Sequence, residues 1–564
     1  MKKYFNIISM SGLIMISILV SSCNYLTVDD REMLTEKIVL SRVDDTAALW
    51  AILYSNLPLG FTVISGNAML ASACDEADHN QPFHAIQSFN NGSWGAYNNP
   101  DDVWDKMYAA IRNANNFLRV SDTITYNQYK IVDPTYYATL TTDMKYYRLD
   151  ARFFKAFFHY ELWKRYGEIP IVDKTMTLDE SYALTRQKSD AIRTYILNEL
   201  DAIIPDLKVT WESAYMGRIT KGAALALKCR ILLFAASPLN NGGQYNTDLC
   251  QQVANVAKQV MDLGVYNLNI DYRNLFLNTT ATNGEIILDY RRANTNYLET
   301  WNYPSGGNRV YAYNVGTNAT CPSQNLVDAY EMANGKSITD PTSGYDPQNP
   351  YVGRDPRLAM TVLTNNTLWN DSTVKAYIGG IDGIGKNNAT TTGYYLKKFI
   401  QEKIKLPTNQ TASHVWHIFR YGEILLNYAE AMNEAYGPDV VPANYSLSAR
   451  AALNLIRART GVAMPAIPAG FTQVDFREKI RNERRIELAF EGHRFWDVRR
   501  WMIANQTENA PLKGMRITKT GTNTFSYEIV KIEDRKFTSP AMFWYPVPFS
   551  ELVKYKNWTQ TTGW

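Results

Sequence analysis

The chain has 564 residues, with 58 lysines and arginines against 55 aspartates and glutamates and a formal net charge of +3. So even a balance sets up no strong field for nucleic acid. Its 5 cysteines lack CxxC spacing and its 6 histidines are scattered, so no metal framework or cofactor is expected.

Taken from the start, Lys2 and Lys3 precede an apolar run over residues 7–20 that is too short and too broken by Ser and Gly to span a membrane. The run ends in Val20-Ser-Ser-Cys23, which resembles the lipobox of bacterial lipoproteins. Residues 1–22 are therefore expected to be a cleaved signal, with Cys23 acylated as a stable anchor. Asn24 at the next position does not carry the aspartate associated with inner-membrane retention in many lipoproteins. Cys74, Cys229, Cys250 and Cys321 could form disulfides outside the cytoplasm, but their spacing fixes no pairing.

Apolar residues then recur at helical spacing. Trp104, Tyr108, Ile111, Asn115 and Leu118 form one stripe. Leu149, Phe153, Phe157, Tyr160 and Trp163 form another, stopped by Gly167 and Pro170. Residues 188–207 and 218–237 read as two amphipathic helices, and Ile418, Tyr421, Leu425, Tyr428 and Met432 step by three and four up to Gly437. A short helix around 448–460 ends at Gly461. The pattern predicts a mainly α chain of antiparallel helix pairs in a superhelix, divided as 23–240 and 241–564. Between about residues 265 and 415, Gly, Asn, Pro and Thr dominate, with strand-like pieces such as residues 285–290. Loops that long are usually functional.

Residues 481–501 are the most charged stretch. Glu483, Glu487 and Glu491 stand four apart, stacked on one side of a helix where like charges repel. Arg484 and Arg494, three residues from Glu487 and Glu491, are placed to answer them. Ile480, Ile486, Ala489 and Phe490 dock the segment on a core. Two readings follow, an interior fastening or an active site. A glycosidase needs two carboxylates roughly 5–10 Å apart across a cleft, one with a raised pKa. Carboxylates on one helix face cannot flank both sides of a sugar, and neighbouring arginines push the pKa down. The fastening reading is preferred, and Arg354 and Arg357 around Pro356 read the same way, as clamps on carboxylates or carbonyls.

Ligand binding fits loop aromatics better, since flat rings pack on sugar C–H faces while Asn, Asp and Arg take hydroxyls. The 37 Tyr, 21 Phe and 13 Trp are mostly core, but some fall in polar, glycine-containing loops. One candidate combines Trp94, Tyr97 and Asn99 with Asp75 upstream; the other is Tyr297, Trp301 and Tyr303, followed by Tyr311 and Tyr313. For each, an ordinary turn or capping cluster is an equal alternative.

Several strings together carry a family resemblance. They are Glu161-Leu-Trp-Lys-Arg-Tyr-Gly-Glu-Ile-Pro170, Gly217-Arg-Ile-Thr-Lys-Gly-Ala-Ala224 with Ala235-Ala-Ser-Pro238, Asp328-Ala-Tyr-Glu-Met-Ala-Asn-Gly-Lys336 and Arg354-Asp-Pro-Arg-Leu358. Residues 420–434, 453–461, 481–501 and Tyr545-Pro-Val-Pro548 follow in the same order. The chain resembles the SusD/RagB-type nutrient-binding lipoproteins of the outer membrane along nearly its whole length. Asn334 stands where that family usually has Asp, and Gly422 where it often has Ala. The resemblance implies tetratricopeptide-like helix pairs with irregular insertions. It also implies a SusC-like TonB-dependent β-barrel partner, over whose mouth the protein lies as a lid that passes oligo- or polysaccharide inward without catalysis. RagB-like members handle oligopeptides instead, which is the alternative ligand class; a glycoside hydrolase is a third.

Overall fold

The computed structural model describes residues 42–277, 284–304, 319–370 and 372–564; Cys23, Tyr311 and Tyr313 lie outside the described residues. Helices α1 (Val43–Tyr54), α2 (Trp104–Ser121), α3 (Pro134–Tyr166), α4 (Ser189–Ile203), α5 (Lys221–Ala236) and α6 (Thr247–Asp262) follow in succession. After the loop-rich middle, α7 (Tyr421–Tyr436), α8 (Ala449–Arg457) and α9 (Gln473–Glu487) continue the series. Neighbours pack pairwise: α2 on α3, α3 on α4, α5 on α6, α6 on α7, and α7 on both α8 and α9. The fold is mainly α, as the apolar spacing requires.

Local chemistry sets the ends. The Asp133 carboxylate accepts the Tyr136 N–H at 2.9 Å and Pro134 occupies the first turn, so α3 starts well before its apolar stripe. It stops at Gly167, whose φ of +70° is the left-handed region. Helix α5 is apolar almost all round, and nearly all of it is buried between its neighbours.

Strands β1 (Ala77–His79), β2 (Ile286–Thr295), β3 (Thr320–Pro322), β4 (Ala412–Arg420), β5 (Leu512–Gly521) and β6 (Thr524–Glu533) form antiparallel pairs β1–β3, β2–β4 and β5–β6. Ile418 thus belongs to a strand, and the helix expected from it begins at Tyr421. Pairing with β2 holds the backbone extended through Arg420. Cys74, Cys229, Cys250 and Cys321 are separate buried thiols.

The charged stretch departs most from expectation. Helix α9 ends at Glu487, and the chain turns through Phe490 (φ +63°) and Gly492 (φ +76°) before α10 (Arg494–Arg500). Glu491 is therefore off the helix that carries Glu483 and Glu487. Phe490 is fully buried, and this anchoring holds its backbone in a region non-glycine residues seldom adopt.

The partners also come from farther away than the local spacing suggested. Glu483 pairs with Arg357 at 2.6 Å and Arg457 at 2.8 Å. Glu487 meets Arg357 at 3.0 Å, Arg420 at 2.8 Å and Arg459 at 3.1 Å. Glu491 takes Arg420 and Lys398, both at 2.7 Å, and Glu285 takes Arg420 and Arg459, both at 2.8 Å. Arg484 instead pairs with Asp497 at 2.7 Å and Arg494 with Asp75 at 2.8 Å. Arg354 donates to the carbonyls of Pro350, Val327 and Tyr330. Burial raises the Glu487 carboxyl, but Arg459, Arg420 and Arg357 outweigh it and hold it well below the usual range. Against the same burial, Arg420 and Lys398 hold Glu491 at about 2. A Cβ on Gly422 would lie 2.4 Å from the Arg420 guanidinium and 3.0 Å from Glu285 Oε1, which explains glycine there.

Arg420→Met leaves Glu285, Glu487 and Glu491 short of a partner in a dry interior. It is expected to cost about 3–5 kcal/mol, read as a lower urea midpoint. The wild-type network also fixes an acid limit. Because the folded pKa of Glu491 is about 2 and the unfolded value about 4.3, the stability it contributes is complete above the unfolded value. It is lost as pH falls through the folded one. Thermal melts across that interval should show the loss, with a shallower slope in Arg420→Met.

Candidate functional site

The first aromatic loop divides sharply. Trp94 is only 3% exposed and packs edge-on against Phe89 (4.8 Å), Tyr545 (5.2 Å) and Trp564 (4.6 Å), so both ring faces are used in the core. Tyr97, three residues on, is 79% exposed and stacks on Phe549 at 4.4 Å. Asn99 shapes the turn into α2, its Oδ1 accepting the Asp101 N–H at 3.1 Å. Asp75 does not face this loop's surface: Arg485 and Arg494 enclose it, both at 2.8 Å. Burial raises its carboxyl, but those two guanidiniums hold it well below the usual range. Next to it, burial and then the Asp75 charge push Glu76 up to about 8.

In the second candidate, Tyr297–Asn302 forms a short helix. The Tyr297 hydroxyl donates to the Gly66 carbonyl, and Trp301 is half-buried with its ring 5.9 Å from that of Tyr297. Tyr303 is buried, its hydroxyl donating to Gln401 O and accepting the Ile404 N–H. Trp94, Asp75 and Tyr303 are thus structural, because each finds a long-range partner that the loop's own composition does not reveal.

The structure shows a groove that sequence reasoning missed. Asp105, Tyr108, Arg112, Asn116 and Arg119 recur every three or four residues on the outer face of α2, and they form one wall of a groove of about 920 Å³. Opposite lie residues from 170–184 and from α11 (Phe549–Lys554) with Tyr555 and Trp558. The Tyr555 and Trp558 rings stack at 4.0 Å, nearly parallel at 7°. Trp104 meets Trp558 edge-on at 6.0 Å. The Trp558 indole donates to Leu184 O at 3.0 Å and the Tyr108 hydroxyl to Pro170 O at 2.9 Å, so the floor is fixed. Arg112 and Asn113 are exposed, and the Arg112 guanidinium has no partner among the described residues. The Phe549 N–H donates to Ala96 O at 3.1 Å, placing the Tyr97–Phe549 pair at the start of the same helix whose Glu551 and Lys554 line the groove. The periodic polar face of α2 was the available signal; the opposing wall left none.

A mainly α stack of helix pairs carrying an open aromatic groove is the frame in which the comparisons fall. Residues 284–564 match the model described as the SusD family, and residues 28–233 match one described as starch-binding associating with outer membrane. SusD-like protein P2 of Formosa agariphila is 25% identical over 424 residues, covering 72% of each chain. A SusD-like protein of Bacteroides fragilis is 27% identical with a TM-score of 0.77, covering 93% of this chain and 98% of that one. A SusD-like carbohydrate binding protein from the same species is 22% identical with a TM-score of 0.74, covering 92% and 99%. The chain belongs to the SusD family.

The Glu76 carboxyl gives a test of the buried charges beside Asp75. Its folded pKa of about 8 exceeds the unfolded value of about 4.3, so the native state holds the extra proton between the two and stability falls as pH rises through that window. Glu76→Gln should raise the melting temperature above the upper value and leave it unchanged near the lower one.

Proposed function

We propose that this protein is a cell-surface glycan-binding lipoprotein, anchored to the outer membrane through Cys23. It captures oligo- or polysaccharide and passes it to a SusC-like TonB-dependent β-barrel, which it covers as a lid. The groove between α2 and α11 carries this reading. Tyr108, Tyr555 and Trp558 offer ring surface for sugar C–H faces, and the exposed Arg112 with Asn113 and Asn116 offers donors and acceptors for hydroxyls. Its volume of about 920 Å³ suits an oligosaccharide, and its open form lets a longer chain run through. The exposed Tyr97–Phe549 pair extends the aromatic surface beyond the groove. Family membership and the carbohydrate-binding relative in Bacteroides fragilis support the ligand class.

The Glu483, Glu487 and Glu491 carboxylates take no part in this function. All three are buried among cations, and the depressed pKa of Glu487 and Glu491 is the wrong direction for a general acid. Purified protein should release no reducing ends from any polysaccharide it retains.

Affinity electrophoresis of the full chain in detergent, on gels containing neutral glycans such as laminarin or amylopectin, tests the groove. Trp558→Ala and Tyr555→Ala are expected to weaken retardation by about tenfold each, a loss of the size expected for one stacked ring. Binding that survives both variants and Tyr97→Ala would place the glycan elsewhere. Pull-down from native outer membranes should recover the β-barrel.

A further inference from the structure

A second groove, of about 900 Å³, lies between the β5–β6 hairpin and the loop at residues 378–391. Its chemistry differs from that of the first. Asn80, Gln81, Asn387 and Asn388 bring carboxamides, Thr390 and Thr391 bring hydroxyls, and Lys386, Arg516 and Lys531 bring charge; among the described residues no carboxylate lines it. Arg516 and Lys531 have partners in Glu528 and Asp534, but these are solvent-exposed pairs whose anions lie outside the groove. Such pairs hold their cations weakly. Lys386 is exposed, and its ammonium has no partner among the described residues. The chain's near-neutral total conceals this local excess of positive charge.

The walls are built rather than loose. A Cβ on Gly380 would sit 2.2 Å from Lys375 O and one on Gly383 2.2 Å from Tyr377 O, so the loop folds back on itself more tightly than any side chain allows. The buried Asp382 carboxylate accepts the Lys375 N–H at 2.8 Å, and Thr391 donates to Asp78 at 2.6 Å. The Ile378 N–H donates to Ile517 O at 2.8 Å and the Met515 N–H to Thr392 O at 2.8 Å, fastening the loop to the hairpin.

The segment that contributes Pro82 to the lining also carries an aromatic ring that packing does not explain. Phe83 is 99% exposed, next to the lining residue Pro82. In the same segment the His79 and His84 rings stack at 4.2 Å. The Nδ1 of His79 accepts the Gln81 N–H and that of His84 the Ile86 N–H, both at 3.2 Å, while Gln87 donates to His79 O at 2.9 Å. Burial, and then His84, lowers His79 to about 3, so these acceptor roles persist at neutral pH. The segment is thus pinned by its own hydrogen bonds while Phe83 stands out in solvent.

We propose that this groove is a second saccharide site, selective for chains bearing sulfate or carboxylate groups. Lys386, Arg516 and Lys531 take the anion, the carboxamides take hydroxyls in both donor and acceptor senses, and Phe83 covers a sugar face. Electrostatic complementarity gives selectivity over neutral chains and a dependence on salt.

Full-length protein in detergent is run on native gels containing dextran, dextran sulfate or polygalacturonate at constant salt. Retardation by an anionic polymer beyond that by dextran is expected. Dextran sulfate alone would identify sulfate as the recognised group, polygalacturonate alone carboxylate, and both would identify charge as such. Lys386→Glu and Phe83→Ala should each weaken it by about tenfold or more, whereas Lys403→Glu, at an exposed lysine lining neither groove, should not. All three positions are exposed, so melting temperatures should match wild type. No retardation on either anionic gel, retardation undiminished in Lys386→Glu, or an equal loss in Lys403→Glu overturns the proposal. Neutral-glycan binding that responds to Trp558→Ala reports only the first groove, so either reading can fail alone.

Discussion

The buried encounter of Glu487 with Arg357, Arg420 and Arg459 is the constraint on which the rest of the C-terminal half depends. Few of the elements it joins could stand alone: α8 is 9 residues long and β2–β4 is a two-stranded pair. Desolvating so many charges is costly, and the return lies in geometry, because a guanidinium fork accepts few directions of approach. Glu285 brings in the start of β2, Arg420 the end of β4, Arg459 the residues after α8, and Arg357 the loop-rich middle. The same demand reaches the backbone at Gly422, where the space a methyl group would take is filled by the Arg420 fork.

A second charge cluster joins the two ends of the sequence. Asp75 is held by Arg485 and Arg494, on either side of the turn that separates α9 from α10. The stretch whose carboxylate spacing predicts one helix is therefore two pieces serving two networks. Glu483, Glu487 and Glu491 face the middle of the chain, while Arg485 and Arg494 face its beginning. Around this fixed interior the helices turn their polar faces outward. On α2 the same helix supplies both faces, with Trp104, Ile111 and Phe117 packed inward and Tyr108, Arg112 and Asn116 along the groove.

Where apolar residues recur without interruption, sequence sufficed: α2, α4 and α5 fall close to where their stripes put them. The first half of α3 carries no such stripe and owes its start to Asp133 and Pro134. Ile418 kept the helical rhythm although its backbone is extended, because strand and helix both bury an isoleucine and only pairing with β2 decides between them. At the break after α9, Gly492 was a turn residue in view, but Phe490 was not, since burial of its ring fixes that backbone. Trp94 and Tyr97 show the limit most plainly. Both lie beside Gly and Asn in one loop, yet one is buried and the other bare, and the difference is made by Tyr545 and Trp564, far along the chain. The groove was invisible for the same reason: half of its lining was in view on α2, and the opposing wall comes from segments that share no pattern with it.

That contact between Trp94 and Trp564 also makes the loop depend on a segment distant in sequence. The packing of the Trp94 loop is incomplete without that segment. In its absence Trp94 lacks one of its cover rings, and the wall bearing Tyr555 and Trp558 is missing. A chain halted before that segment, or clipped there by a protease, would present an exposed tryptophan and no complete groove. Closure of the groove thereby depends on a segment distant in sequence from the loop it covers.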